Sequence, residues 1–261
     1  EEITRERGIS IDSQGFSEAM NEQKERAKAA RKENGTADIS GDLRPLLEEH
    51  GLTSFIGREE NKTEAEVLYI ENNYVVLDRT PFYAESGGQI GDTGTLTNTR
   101  GAVRVIDTKL ALDGLHVHET EDNELEIAVG DKLVVEIDVD RRTDIRRNHT
   151  ATHLLHAALR RVLGEHVKQQ GSWVGPDRLR FDFSHYAAVQ PEEIREIEDM
   201  VNMEVLNNLP CNHYETSKEK AEAAGAIAFF GDKYGDSVRV LEAGSSSIEL
   251  CGGTHVNALG D

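Results

Sequence analysis

The sequence holds only two cysteines, one tryptophan and five prolines in 261 residues, and 5% of it is aromatic. Cys211 and Cys251 show no pairing pattern, which excludes a disulfide-stapled secreted scaffold. No stretch approaches the ~20 consecutive apolar residues of a spanning helix. With 37% hydrophobic against 30% charged residues, a membrane protein is excluded. Positive charge is scarce too: 29 Lys and Arg face 49 Asp and Glu, a net charge of −20 at pH 7. So acidic a surface repels polyanions and excludes general coating of nucleic acid. The chain opens on Glu1 with no signal peptide, and the expectation is a cytoplasmic protein, a piece of a longer one.

What is present is unevenly placed. Arg141, Arg142, Arg146, Arg147, Arg160, Arg161, Lys168, Arg178 and Arg180 face Asp144, Glu165 and Asp177, a local charge of +6 within the acidic chain. Such an island suits one anionic target held at one place. Arg146 and Arg147 are the candidate RNA contacts.

The length allows one large or two ordinary domains. Residues 1–41 read as a connecting helix over Ile11–Arg31, with few apolar residues, and a polar linker over Lys32–Gly41. Residues 42–140 begin with a short helix, Leu43–His50, stopped by Gly51. Short alternating strands follow: Val67–Tyr69 and Tyr74–Leu77 around an Asn72-Asn73 turn, then Gly94–Asn98, Val103–Lys109, Gly114–His118 and Leu133–Val139. So many short strands predict a small antiparallel β-barrel, which leaves no open edge. From Arg141 the apolar period changes to that of a helix, with Leu154, Leu155, Ala158, Leu159, Val162 and Leu163 in one stripe ending at Gly164. Strands are expected at Trp173–Val174, Leu179–Phe183, Val238–Leu241 and Ile248–Cys251. A helix is expected from Pro191, with Ile194, Ile197, Val201 and Val205 inward.

Two pairs of residues carry chemistry. His149 and His153 stand one turn apart on the first of these helices, a spacing that suits two ligands of one zinc. Thr150 stands where a zinc protease would carry its glutamate, so that chemistry is absent. His156 lies on the same side and competes as a ligand. Cys251-Gly-Gly-Thr-His255 offers a thiolate and an imidazole across a glycine turn. One thiolate and three imidazoles make a tetrahedral zinc site. A second reading makes Cys251 the nucleophile of a thiol hydrolase with a histidine base. A third is a non-catalytic RNA-binding module with structural zinc.

His149-Thr-Ala-Thr-His-Leu-Leu-His156 followed by Cys251-Gly-Gly-Thr-His255 resembles the editing domain of the alanyl-tRNA synthetase family and its free-standing relatives. Pro81-Phe-Tyr-Ala-Glu-Ser-Gly-Gly-Gln-Ile-Gly-Asp92, Gly171-Ser172 with Arg180–His185, and Phe230–Asp236 agree with it. The threonyl-tRNA editing domain is similar in its paired histidine and cysteine motifs, but the Ser86–Asp92 signature belongs to the alanyl side. The resemblance implies an α+β fold: a small antiparallel β-barrel followed by an α/β two-layer editing domain over residues 141–261, with an N-terminal connecting helix. It implies hydrolysis of mischarged seryl- and glycyl-tRNA(Ala), with zinc on His149, His153, Cys251 and His255. Thr152, Gln169 and Ser172 line the amino-acid pocket in that family. The aminoacylation and C-terminal parts of such a synthetase have no counterpart in these residues.

Overall fold

Glu1–Ser40 and Gly41–Asp261 are two separate units of the chain. The computed structural model describes Gly15, which is helical, and residues 42–112, 114–121, 126–227 and 237–261. The rest of the expected connecting helix and linker, and the Phe230–Asp236 motif, lie outside the described residues. All the elements that follow belong to the second unit.

Helix α1 (Arg44–His50) ends at Gly51, whose N–H returns to the Leu47 carbonyl, as the sequence predicted. The following strands are β1 (Ser54–Phe55), β2 (Lys62–Glu71), β3 (Tyr74–Leu77), β4 (Arg79–Thr80) and β5 (Gly94–Asn98), then β6 (Gly101–Leu112), β7 (Leu115–Thr120) and β8 (Lys132–Ile137). Six of them close an antiparallel barrel in the order β2-β3-β7-β6-β5-β8. β1 and β4 form a separate parallel pair. Val67, Leu77, Leu96, Val105, Leu133 and Val135 fill the barrel with no exposure at all. Alternation along each strand puts these side chains inward, and closure leaves no unpaired edge. The β2–β3 turn is Asn72-Asn73, with Asn72 left-handed at φ 53°.

The last barrel strand stops two residues before the expected Val139, because Asp138 caps the next helix by accepting from Arg141 N. That helix, α2 (Val139–Leu163), ends at Gly164 and carries both an apolar and a histidine-bearing buried face. β9 (Gln169–Val174) and β10 (Leu179–Phe183) form an antiparallel hairpin. Helix α3 (Pro191–Asn207) starts with a capping box between Gln190 and Glu193. Here the expectation from sequence needs correction: only Ile197 is buried, while Ile194 is 45% and Val205 38% exposed. α3 packs on α2 through Ile197, Met200 and Val201. β11 (Cys211–Ser217), α4 (Lys218–Ala223), β12 (Ser237–Ala243) and β13 (Ser247–Leu250) complete the chain, with β11-β12-β13 an antiparallel sheet. The sequence did not reveal β11, because its outer position leaves four consecutive residues exposed and erases the alternation. The fold is therefore mixed α+β with a six-stranded barrel. No described helix is long and apolar enough to cross a membrane.

One buried ion pair ties the barrel to α2. Arg142 is completely buried and grips Asp92 through both carboxylate oxygens. It also donates to the Gly57 carbonyl at 2.6 Å and the Pro81 carbonyl at 3.0 Å. Asp92 accepts in addition from Tyr83 N at 2.6 Å. Arg142 must therefore be removed from the basic island that the sequence suggested. A guanidinium this deep is a structural charge and cannot meet a partner.

Candidate metal centre

The turn spacing of α2 and the end of β13 bring four donors together. His149 and His153 project from α2, and Cys251 and His255 come from the loop after β13. One ligand atom from each lies within 4.8 Å of the other three. Cys251 Sγ stands 3.5 Å from His149 Nε2 and 3.2 Å from His255 Nε2. A tetrahedral zinc with Zn–S of ~2.3 Å and Zn–N of ~2.0–2.1 Å would separate such atoms by about 3.5 Å. The donor set fits that ion. The turn needs glycine at position 253, where a Cβ would stand 2.1 Å from His149 Cε1.

The outer ring nitrogens are held as well. Gln89 Oε1 accepts from Thr254 N at 2.9 Å, which identifies it as the oxygen, so His149 Nδ1–H donates to it at 2.8 Å. Thr150 Oγ1 gives its proton to the Arg146 carbonyl and accepts from His255 Nδ1 at 3.3 Å. Glu249 receives His153 Nδ1 on one oxygen and His156 Nδ1 on the other, the latter at 2.8 Å. These bonds turn His149 and His255 so that Nε2 faces the cluster, the usual support for a metal-bound imidazole. His156 is thus on Glu249 and outside the four-donor group.

Burial opposes ionisation of the Cys251 thiol, but the imidazoles of His149, His255 and His153 outweigh it and hold its pKa well below the usual value. Burial likewise opposes charge on Glu249, and His153 and His156 overcome it, keeping the carboxylate ionised. Burial pushes His255 down, while on His153 the charges of Glu249 and Cys251 override burial and push the pKa up. A thiolate thus stands among the four donors, as a divalent metal requires, and the ionised carboxylate backs His153 from outside the group.

The cluster forms one wall of a cavity of about 230 Å³. Thr152, Gln169 and Ser172, expected together from the sequence, all line it, as do His156 and Tyr83. Thr152 Oγ1 donates to the Asn148 carbonyl at 2.8 Å, so towards the cavity it acts as an acceptor. Ser172 meets the barrel loop at Gly88, whose φ of 85° and close approach exclude a side chain. Val174 N donates to the Gly88 carbonyl and Ile90 N to the Val174 carbonyl, joining that loop to β9. Of the two arginines picked as RNA contacts, Arg147 is exposed, paired with Asp144 and donating to the Asp261 carbonyl. Arg146 is half-buried, and its Nε has no hydrogen-bond partner among the described residues.

Sequence reasoning assigned no role to Gln89 and Glu249. The available signal for Glu249 was a lone carboxylate two positions before Cys251, between Ile248 and Leu250. For Gln89 it was the polar residue inside a glycine-rich turn.

A family model for tRNA synthetases class II (A) matches residues 1–141. The alanine–tRNA ligase of Nitratidesulfovibrio vulgaris is 45% identical over 273 residues, covering 99% of this chain and 31% of that protein. The alanine–tRNA ligase of Acetivibrio thermocellus is 45% identical, with 98% and 31% covered. That of Shouchella clausii is 43% identical, with 98% and 30% covered. The chain spans about a third of the length of these curated relatives. The family match covers more than half of the chain and takes in the whole barrel, and the relatives align across the metal cluster as well: the chain belongs to the class II tRNA synthetases (A).

Proposed function

We propose that this chain is the editing portion of an alanyl-tRNA synthetase, a zinc-containing hydrolase that removes serine or glycine wrongly attached to tRNA(Ala). In this reading residues 42–140 are the barrel domain and 141–261 the two-layer editing domain. The observation that carries it is the four-donor cluster forming one wall of a cavity whose other walls hold Thr152, Gln169 and Ser172. The need is physical: a pocket for alanine cannot strongly reject a side chain one methyl smaller or one hydroxyl larger. A second site must then cleave the wrong ester.

His149, His153, Cys251 and His255 would hold the zinc. When bound by all four donors, the ion would supply a fixed positive charge at the cavity wall. The protein supplies position. Gln89, Thr150 and Glu249 fix the imidazoles. Thr152, its proton committed to Asn148, offers lone pairs to the hydroxyl of a seryl ester, and the Gln169 amide offers both a donor and an acceptor. An alanyl ester leaves these groups unmatched in a desolvated cavity. The ester is intrinsically labile, so holding water and carbonyl in line supplies much of the acceleration.

Thr152→Ala and Gln169→Ala are expected to lower kcat/KM for seryl-tRNA(Ala) by about 1–3 kcal/mol, roughly 5- to 150-fold, with less effect on the alanyl ester. The assay compares seryl-, glycyl- and alanyl-tRNA(Ala) with and without chelator, with zinc content and melting checked. An unchanged serine-to-alanine ratio in both folded variants places selectivity elsewhere. The 3.2 Å Cys251–His255 contact also suits a thiol hydrolase. In that case chelation spares activity and alkylation of metal-free protein abolishes it. Absence of turnover with any of the three esters leaves the binding-module reading.

Arg146→Gln with Arg147→Gln should weaken tRNA binding and reduce the slope of log K against log salt, by about 0.9 for each phosphate no longer neutralised. Equal affinity at low salt in parent and variant would assign both arginines to structure.

A further inference from the structure

Three rings stand together beside the β9–β10 hairpin, away from the metal ligands. His166, in the segment leading into β9, stacks on Tyr186 with centroids 4.5 Å apart and planes 24° apart. It lies edge to edge with His185, centroids 5.1 Å and planes 21° apart. His166 Nε2 and His185 Nδ1 share a hydrogen bond of 2.9 Å. Ser184 N donates to the Lys168 carbonyl at 3.0 Å and so closes the two flanking segments on each other. The segments that carry the rings are therefore joined, and Tyr186 is 87% exposed. The ring face away from His166 is open to solvent.

The segment is also held from α2. Arg160 Nη1 donates to the Glu165 carbonyl at 2.9 Å and the Val167 carbonyl at 3.2 Å, on either side of His166. Lys168 follows in the same segment. An exposed aromatic ring backed by a second ring suits an unpaired base. A protein partner would want a continuous apolar patch. Among the described residues Tyr186 is the only exposed large apolar side chain between Val139 and Ile194.

The segments that carry the rings also lead to the cavity. Gln169 lines the cavity and pairs in register with Phe183, three residues before Tyr186. His166 lies three residues before Gln169, a span of at most about 10–11 Å. We propose that Tyr186, supported by His166 and His185, is a stacking platform for an unpaired nucleobase of the RNA strand whose end enters the metal cavity. The identity of that strand rests on the function proposed above; the stacking itself does not.

The probe is an uncharged RNA hairpin with a short single-stranded 3′ end carrying 2-aminopurine, titrated with the full chain at fixed salt. Binding should quench the fluorophore. Tyr186→Ala should abolish the quench and weaken binding roughly 5- to 150-fold, the range of one base–aromatic stack. Tyr186→Phe should retain both, and zinc content and melting should match the parent in each. In deacylation, Tyr186→Ala should raise KM and leave kcat unchanged. Parent-like quench and affinity in Tyr186→Ala overturn the platform, as does full recovery by Tyr186→Leu. Tyrosine-dependent RNA binding by a parent that deacylates no ester overturns the proposed function and leaves the platform standing.

Discussion

Cys251→Ala should lose its zinc, and its deacylation, to a chelator that leaves the parent with one zinc per chain. The four donors lie within 4.8 Å of one another, and among the described residues no fifth His, Cys, Asp or Glu joins them to take over the vacant position. Sites of this kind bind zinc with roughly 10–16 kcal/mol at neutral pH, so losing one ligand of four removes on the order of 3 kcal/mol, about a hundredfold in affinity. Dialysis against a chelator completes the loss. His149→Ala, His153→Ala and His255→Ala should behave alike, whereas His156→Ala should keep its metal, because His156 is held by Glu249 outside the group. Glu249→Gln tests the support: it keeps every ligand and should weaken zinc about 10- to 100-fold. Metal analysis of each purified variant is the measurement. Full zinc retention in Cys251→Ala would sink the assignment.

Arg142→Met should destabilise the fold more than any of the other single substitutions proposed. It strands the Asp92 carboxylate and leaves the Gly57 and Pro81 carbonyls without their donor, all in a region closed to water. Breaking a buried ion pair from one side costs about 3–5 kcal/mol. At about 2–4 °C per kcal/mol for a unit of this size, the melting temperature should fall by roughly 6–20 °C. Asp92→Asn should cost less, since the amide oxygen can still accept from Arg142 Nη2 and Tyr83 N, with only the bond from Arg142 Nε lost. The double variant Arg142→Met with Asp92→Leu should recover part of the loss, because it removes both charges rather than one. A melt within a degree or two of the parent, together with weaker tRNA binding, would return Arg142 to the surface role that its sequence context suggested.

Local signals were legible where one residue decides the outcome. Gly51 and Gly164 ended their helices, Pro191 began one, Asn72 marked a hairpin, and alternation over Gly94–Asn98 located a strand to the residue. The histidine pair and the cysteine–histidine loop were legible because helix and turn spacing bring side chains together locally. Pairings across the fold were not. Asp92 with Arg142 and Gln89 with His149 join residues 50 and 60 positions apart, and nothing in either neighbourhood names the other. Arg142 looked like its basic neighbours because charge counting ignores depth. α3 misled in the opposite sense: Ile194 and Val205 have the helical period of a core face, yet only Ile197 of that face is buried.

The separation of the ligands along the chain also has a consequence for the order of events during synthesis. Cys251 follows His149 by 102 residues, so at ~5–20 residues per second the ribosome delivers the thiol roughly 5–20 s after the first imidazole. Asp92 precedes Arg142 by 50 residues, and all the barrel strands precede α2. The barrel and its clamp on the helix can therefore be complete while the histidines still wait. The nascent helix is anchored at its base before either late ligand exists, which limits the ways in which the final loop can close around the metal.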